Sequence, residues 1–216
     1  ASQGEAASWA AYVLGGSCAL VERGATLSGG LRLLVDSAVP EGKGVSSSAA
    51  IEVAALRALA ELWQVPLSGV ELGLACQAVE NRVVGAPCGV MDQLTSACGE
   101  PGRLLALLCQ PAALRGFVAP PAGVVFVGID SGLRHAVVGA DYRQVRVAAF
   151  MGLRILAERL GARVRAIGPG RVVLEDDPLQ GYLANLTPAA LSGGLLTALP
   201  ESISGEEFLA RFEGIS

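Results

Sequence analysis

Residues 40–63, PEGKGVSSSAAIEVAALRALAELW, set two glycines, a lysine and three serines directly before an alanine-rich run. That combination suits a ligand with negative charge. A helix N-terminus offers unpaired backbone N–H groups and about half a positive charge. Gly42 and Gly44 let the backbone approach a phosphate where a Cβ would obstruct it. Ser46, Ser47 and Ser48 add hydroxyl donors, and a hydroxyl also ligates Mg²⁺. Lys43 adds a cation. Two common phosphate motifs do not fit. GxxxxGK[ST] is absent because Lys43 precedes Gly44, and GxGxxG fails because Ser47 stands at its third position. A strand-to-helix turn with a serine N-cap accounts for the loop about as well as anion binding does.

Acidic residues are the next candidates. Asp92 lies in 85-GAPCGVMDQLTSACGE-100, flanked by Val90, Met91 and Leu94. A carboxylate in such apolar company needs a partner or a job. It is either a helix N-cap or a general base in a dry pocket. Glu80, beside Asn81 and Arg82, reads first as a solvated helix-end carboxylate. In 130-DSGLRHAVVGADY-142, Arg134 and His135 are either anion ligands or ordinary loop residues. His135 is the one histidine in the chain, so a histidine-rich zinc site is excluded. No GxSxG is present, which argues against serine hydrolysis.

The elements that must position these groups follow from periodicity. Residues 7–22 predict a helix, and 31–39 (LRLLVDSAV) a strand feeding the loop. Ile51, Ala54, Ala55, Ala58, Leu59 and Leu62 predict one apolar helix face, with Arg57 and Glu61 opposite. A second helix is expected over about 69–83, with Leu72, Ala75, Cys76 and Val79 inward. MDQLTSAC is helix-compatible. Residues 103–109 and 124–130 predict buried strands, and 141–160 a long helix with Asp141 as its N-cap. Residues 161–200 read as irregular. Helices and strands mix without regular alternation, so the expected class is α+β. At 216 residues, 52% apolar and 17% charged, the chain can bury a sizeable core. A net charge of −4 without a basic run argues against nucleic acid. No apolar stretch is long enough for a membrane span, and no signal peptide is evident. Five cysteines with no CxxC pair read as reduced thiols, hence a cytoplasmic setting.

Three segments together carry a resemblance. PEGKGVSSSAAIEVA resembles the second motif of the GHMP small-molecule kinases. CQAVENRVVGAPCGVMDQLTSACGE and DSGLRHAVVGADY resemble the galactokinase branch of that superfamily. EGKG, GAPCGVMDQ and GYLANL are closer to L-arabinokinases than to galactokinases. The resemblance runs across nearly the whole chain and is loosest over 161–180. It implies a GHMP kinase N-terminal domain, ribosomal protein S5 domain 2-like, over residues 1–160. Residues 161–216 would be an irregular connecting segment. It also implies ATP and Mg²⁺ as cofactors and a sugar as substrate. Gly42, Lys43, Gly44 and Ser46 to Ser48 would bind the ATP phosphates, and Ser48 and Glu80 would hold Mg²⁺. Asp92 would be the catalytic carboxylate facing the anomeric hydroxyl. Gly89 and Tyr142 match sugar-contacting positions, and Trp9 matches a tryptophan near the adenine.

Two parts of the family pattern have no match here: the opening motif with an arginine and a Glu-His pair, and the closing glycine-rich motif of a C-terminal domain. L-Arabinose is the first expected substrate and galactose the second. A sugar- and nucleotide-sensing module without catalysis is a third reading, against which the presence of Asp92 argues. The 216-residue chain alone is expected to be weak or inactive as a kinase. Turnover by the isolated chain matching that of a full-length kinase, in an assay of sugar-dependent ADP release, would contradict this.

Overall fold

The structure is a computed structural model that describes residues 8–26, 29–132 and 140–215. It forms two compact units, one within residues 1–138 and one within 139–216. The division falls earlier in the chain than the expected boundary at residue 160.

In the first unit, α1 (Ser8–Val21), α2 (Ser47–Leu62), α3 (Gly69–Val79) and α4 (Met91–Cys98) precede a hairpin of β1 (Leu104–Leu108) and β2 (Ala113–Val118). The α2 sequence is dominated by Ala, Leu and Glu, which lose little side-chain freedom in a helix. It stops in a Schellman turn: Gln64 takes the left-handed conformation, and Gln64 and Val65 N–H bond to the carbonyls of Glu61 and Ala60. Pro66 then blocks continuation. α3 opens with a capping box. Ser68 Oγ accepts from Glu71 N–H while the Glu71 carboxylate accepts from Ser68 N–H. Its last turn widens into a π-helical turn over Glu80–Val84, closed by Gly85 at φ +79°. Such turns are frequent at functional sites.

Leu20, Val53, Leu56, Leu59, Leu72, Ala75 and Cys76 form the core between α1, α2 and α3. The inward face of α3 is the expected one. That of α2 is rotated from expectation: Ala49, Glu52, Val53, Leu56 and Ala60 are buried together with the expected Ala55 and Leu59, whereas Ala54, Ala58 and Leu62 are exposed. Alanine is too small to fix a face, and the true stripe includes a glutamate. α4 lies close on α3 because Gly73 leaves room for it. A Cβ there would stand 2.8 Å from Leu94 Cδ2 and 3.2 Å from the Leu94 backbone.

Residues 31–39 and 124–130 are not strands. Strands need a ladder partner, and among the described residues the first unit contains one two-stranded antiparallel sheet, β1 with β2. The apolar side chains of both segments lie exposed, Leu34 by 95% and Ile129 by 89%.

In the second unit, α5 (Ala140–Arg159) precedes the hairpin β3 (Arg163–Gly168) and β4 (Gly170–Glu175). Then come α6 (Pro188–Ser192) and α7 (Gly205–Phe212), and β5 (Gly214–Ile215) pairs parallel to β4. Leu153, Leu156 and Leu179 centre its core. The reading of 161–200 as irregular is therefore corrected. Two β-favouring runs flank Pro169-Gly170, which is a hairpin pattern. Asp141 lies inside α5 and not ahead of it. The architecture is α+β, as expected. No helix among the described residues is long and apolar enough to cross a membrane.

Gly73→Val places two further methyl groups against the fully buried Leu94 and should lower unfolding stability by about 1–3 kcal/mol. Urea denaturation checks this; an unchanged midpoint would show that α4 does not depend on this close approach.

Candidate active site

The glycine–serine loop reaches α2 through alternate left-handed residues. Gly42, Gly44 and Ser46 have φ of +65°, +71° and +59°. For the two glycines that conformation is free of Cβ strain; for Ser46 it is strained. Ser46 stands at the N-cap of α2, yet its hydroxyl does not cap the helix. It donates instead to Asp92 Oδ2 at 2.6 Å. The serine-cap account of the loop is therefore replaced by a bond between loop and carboxylate. Asp92 is in the first turn of α4, where Val90 is the N-cap, so it is not a capping residue either. It is half-buried and not enclosed in a dry pocket.

The loop before α4 is pinned from α3 and its π turn. Asn81 Oδ1 accepts from Cys88 N–H at 2.9 Å, and Gln77 Nε2 donates to the Cys88 carbonyl at 3.2 Å. Glu80, expected to be a solvated helix-end residue, is buried at 5% exposure. The π turn aims it inward, where Glu80 Oε2 accepts from Gln93 Nε2 and from the Cys88 thiol. Gln93 Nε2 also lies 3.4 Å from Glu52 Oε2. Glu52 and Gln93 are each 1% exposed, and Oε1 of each has no hydrogen-bond partner.

Burial pushes the Glu52 carboxyl up to about 8, and the neighbouring Glu80 charge adds to this while the Gln93 amide opposes it. Burial likewise raises the Tyr12 phenol on α1, with Glu80, Glu52 and Cys88 contributing. The Cys76 and Cys88 thiols are both pushed up to about 12, chiefly by burial.

Ser47 and Ser48 are half-buried in the first turn of α2. Ser48 is one helical turn above Glu52, so both project from the same face. Lys43 pairs with Asp130. Gly89 is exposed, with open space where a Cβ would be, three residues before Asp92. Trp9 is on α1, about half exposed, and no described contact joins it to the loop. Tyr142 lies on α5 in the second unit, and its side chain is outside the described residues, as are Arg134 and His135. No group of three or more His, Cys, Asp or Glu able to hold a metal ion occurs among the described residues.

Residues 11–100, which contain the loop, Glu80 and Asp92, match the family described as the GHMP kinases N terminal domain. The chain is 44% identical over 98% of its length to an L-arabinokinase from Arabidopsis thaliana, of which it spans 22%. The chain belongs to the GHMP kinase superfamily. It is also 42% and 40% identical, each over 71% of its length, to galactokinases from Chloroflexus aggregans and Chloroflexus aurantiacus. It spans 39% of each of these.

In this GHMP kinase chain, sequence reasoning missed Glu52, Gln93, Cys88, Tyr12 and Asp130. Glu52 had a usable signal: it falls at the spacing of Ala49, Val53, Leu56 and Leu59 on the buried face. Gln93 follows Asp92 directly, but its role depends on what α2 and α3 bring to it.

Thiol chemistry tests the cluster. A raised thiol pKa means less thiolate at a given pH and slower alkylation. At pH 8 iodoacetamide should modify the exposed Cys18 and Cys109 at least about tenfold faster than Cys76 and Cys88. Peptide mass spectrometry reads this out, and rapid labelling of Cys88 would mean that it does not face Glu80.

Proposed function

We infer that the protein of which this chain forms part phosphorylates the anomeric hydroxyl of a monosaccharide from ATP. L-Arabinose is the first candidate and galactose the second. The observation that carries this reading is the Ser46–Asp92 hydrogen bond, which joins the phosphate-type loop to a carboxylate 46 residues away. The greater share of the chain matched by the arabinokinase, 98% against 71%, favours L-arabinose.

In this reading the triphosphate lies along residues 42–48. The first N–H groups of α2 have no side-chain cap because the Ser46 hydroxyl is engaged elsewhere, so they are available to phosphate oxygens. Ser48 and Glu80 supply a hydroxyl and a carboxylate, which are the oxygen donors that Mg²⁺ takes, so the residues fit the ion. Bound there, it would neutralise charge on the transferred phosphoryl group. Gly89 leaves space for a sugar ring beside α4, and Lys43 and Trp9 are assigned to the nucleotide. Tyr142 is assigned to the sugar on the sequence pattern.

Asp92 accepts the proton of the anomeric hydroxyl as that oxygen attacks the γ-phosphorus. An oxygen–phosphorus bond forms to the sugar. The bond from the γ-phosphorus to the bridging oxygen breaks, and its electron pair leaves with ADP. Ser46 holds one carboxylate oxygen of Asp92 and so limits the directions in which the other can point.

Asp92→Asn in the complete protein should lower kcat for sugar-dependent ADP formation by about 10²–10⁴-fold while leaving the circular dichroism unchanged. Undiminished turnover in the Asn variant would overturn the assignment. A panel of L-arabinose and D-galactose on the same preparation separates the two substrates.

A further inference from the structure

We propose that Glu52 is a positioning residue for Glu80, acting through the Gln93 amide that both carboxyls share. The inference rests on the kinase reading above and names a residue that reading does not use. Glu52 is a carboxyl side chain pointing into the core from the middle of α2, 1% exposed, on an otherwise apolar face. Nothing in the packing of α2 requires a glutamate there, and burying a carboxyl without a role is costly. It meets Gln93 Nε2, which also donates to Glu80 Oε2, and it lies within hydrogen-bonding reach of the Glu80 carboxyl itself. Three elements therefore meet at one amide: α2 through Glu52, the π turn through Glu80, and α4 through Gln93.

The described hydrogen bonds to Glu80, from Gln93 and Cys88, all end on Oε2. They hold that oxygen, and the Glu52 carboxyl itself also lies within hydrogen-bonding reach of Glu80. Ser48, the other oxygen donor assigned to the cation, lies one turn of α2 from Glu52 on the same face. The shared amide thus ties the spacing of Glu80 from α2 to a hydrogen bond at each end. Without Glu52 the Gln93 amide has one carboxyl left to serve, and Glu80 loses its tether to α2. Groups that orient a ligand from behind in this way typically alter metal affinity by about 10–100-fold when removed.

The experiment uses the full-length protein and reads Mn²⁺ binding in the presence of a non-hydrolysable ATP analogue by electron paramagnetic resonance. Glu52→Ala should weaken Mn²⁺ binding about 10–100-fold, with KM for the sugar unchanged. Glu52→Gln, which keeps the shape and an oxygen acceptor, should restore it. Gln93→Met, which keeps the volume and removes the donor, should weaken binding as Glu52→Ala does. It also serves as the test if Glu52→Ala fails to fold; thermal denaturation in EDTA shows which variants are folded. A folded Glu52→Ala or Gln93→Met variant with wild-type Mn²⁺ affinity overturns the proposal while the kinase reading stands. A wild-type protein that neither binds Mn²⁺ with the nucleotide analogue nor phosphorylates a sugar overturns the kinase reading itself.

Discussion

One hydrogen bond joins the two halves of the candidate chemistry, and the local backbone is bent to make it. Ser46 holds a left-handed conformation that costs a non-glycine residue about 1–3 kcal/mol. A hydrogen bond to a charged group contributes about 1.5–3 kcal/mol. The two are of the same size, so the Asp92 contact offsets the strain, and the conformation persists because the contact exists. The same choice leaves the start of α2 without a side-chain cap. In an ordinary helix that would be a simple loss of about 1 kcal/mol. Here it leaves donors pointing into the loop where an anion would be received.

Below that bond lies a second constraint, of opposite character. Two glutamates share the core with a half-buried cysteine and one glutamine. Two buried carboxylates side by side cannot both ionise cheaply. Burial first, and then the Glu80 charge, raise Glu52 to about 8. The helices that surround the pair are held by apolar packing that does not need it: Leu56, Leu59, Leu72 and Leu94 are almost wholly buried on their own account. A polar cluster inside a self-sufficient core is better explained by what it positions than by what it stabilises.

The helical part of the fold was legible wherever periodicity was carried by large residues. Leu72, Ala75, Cys76 and Val79 identify the inner face of α3 because leucine, cysteine and valine recur at helical spacing. On α2 the recurring residue is alanine, which fits either face: Ala49, Ala55 and Ala60 are buried, whereas Ala54 and Ala58 are exposed. The strand expected over 103–109 is β1, but two other strand assignments failed for another reason. LRLLVDSAV and VVFVGID are apolar and β-favouring, but a strand is a property of two segments, and no ladder forms on either among the described residues. The hairpin over 163–175 was hidden by its own turn, since Pro169 and Gly170 were counted as signs of irregular chain when they were the connection. Within the site, Asp92 and the serines stood out by type and setting, whereas Glu80 was singled out only by the family resemblance. Glu52 was legible only as a member of the buried stripe of α2, and Gln93 not at all, because its partners on α2 and the π turn meet it only once three elements are in place.

Lys43 shows how the loop can be ordered without being closed to a ligand. Its ammonium group pairs with Asp130, and both side chains keep substantial access to water. Exposed pairs of this kind contribute about 0–1 kcal/mol, because water and salt screen them. A triphosphate carries several charges and would also meet the helix dipole and the free amides of α2. The lysine can therefore exchange a carboxylate for a phosphate at little cost, whereas Ser46 cannot leave Asp92 without leaving its own backbone strained. The loop thus contains one contact that is easily surrendered and one that is not, and the second is the one that touches Asp92, the carboxylate proposed as the base.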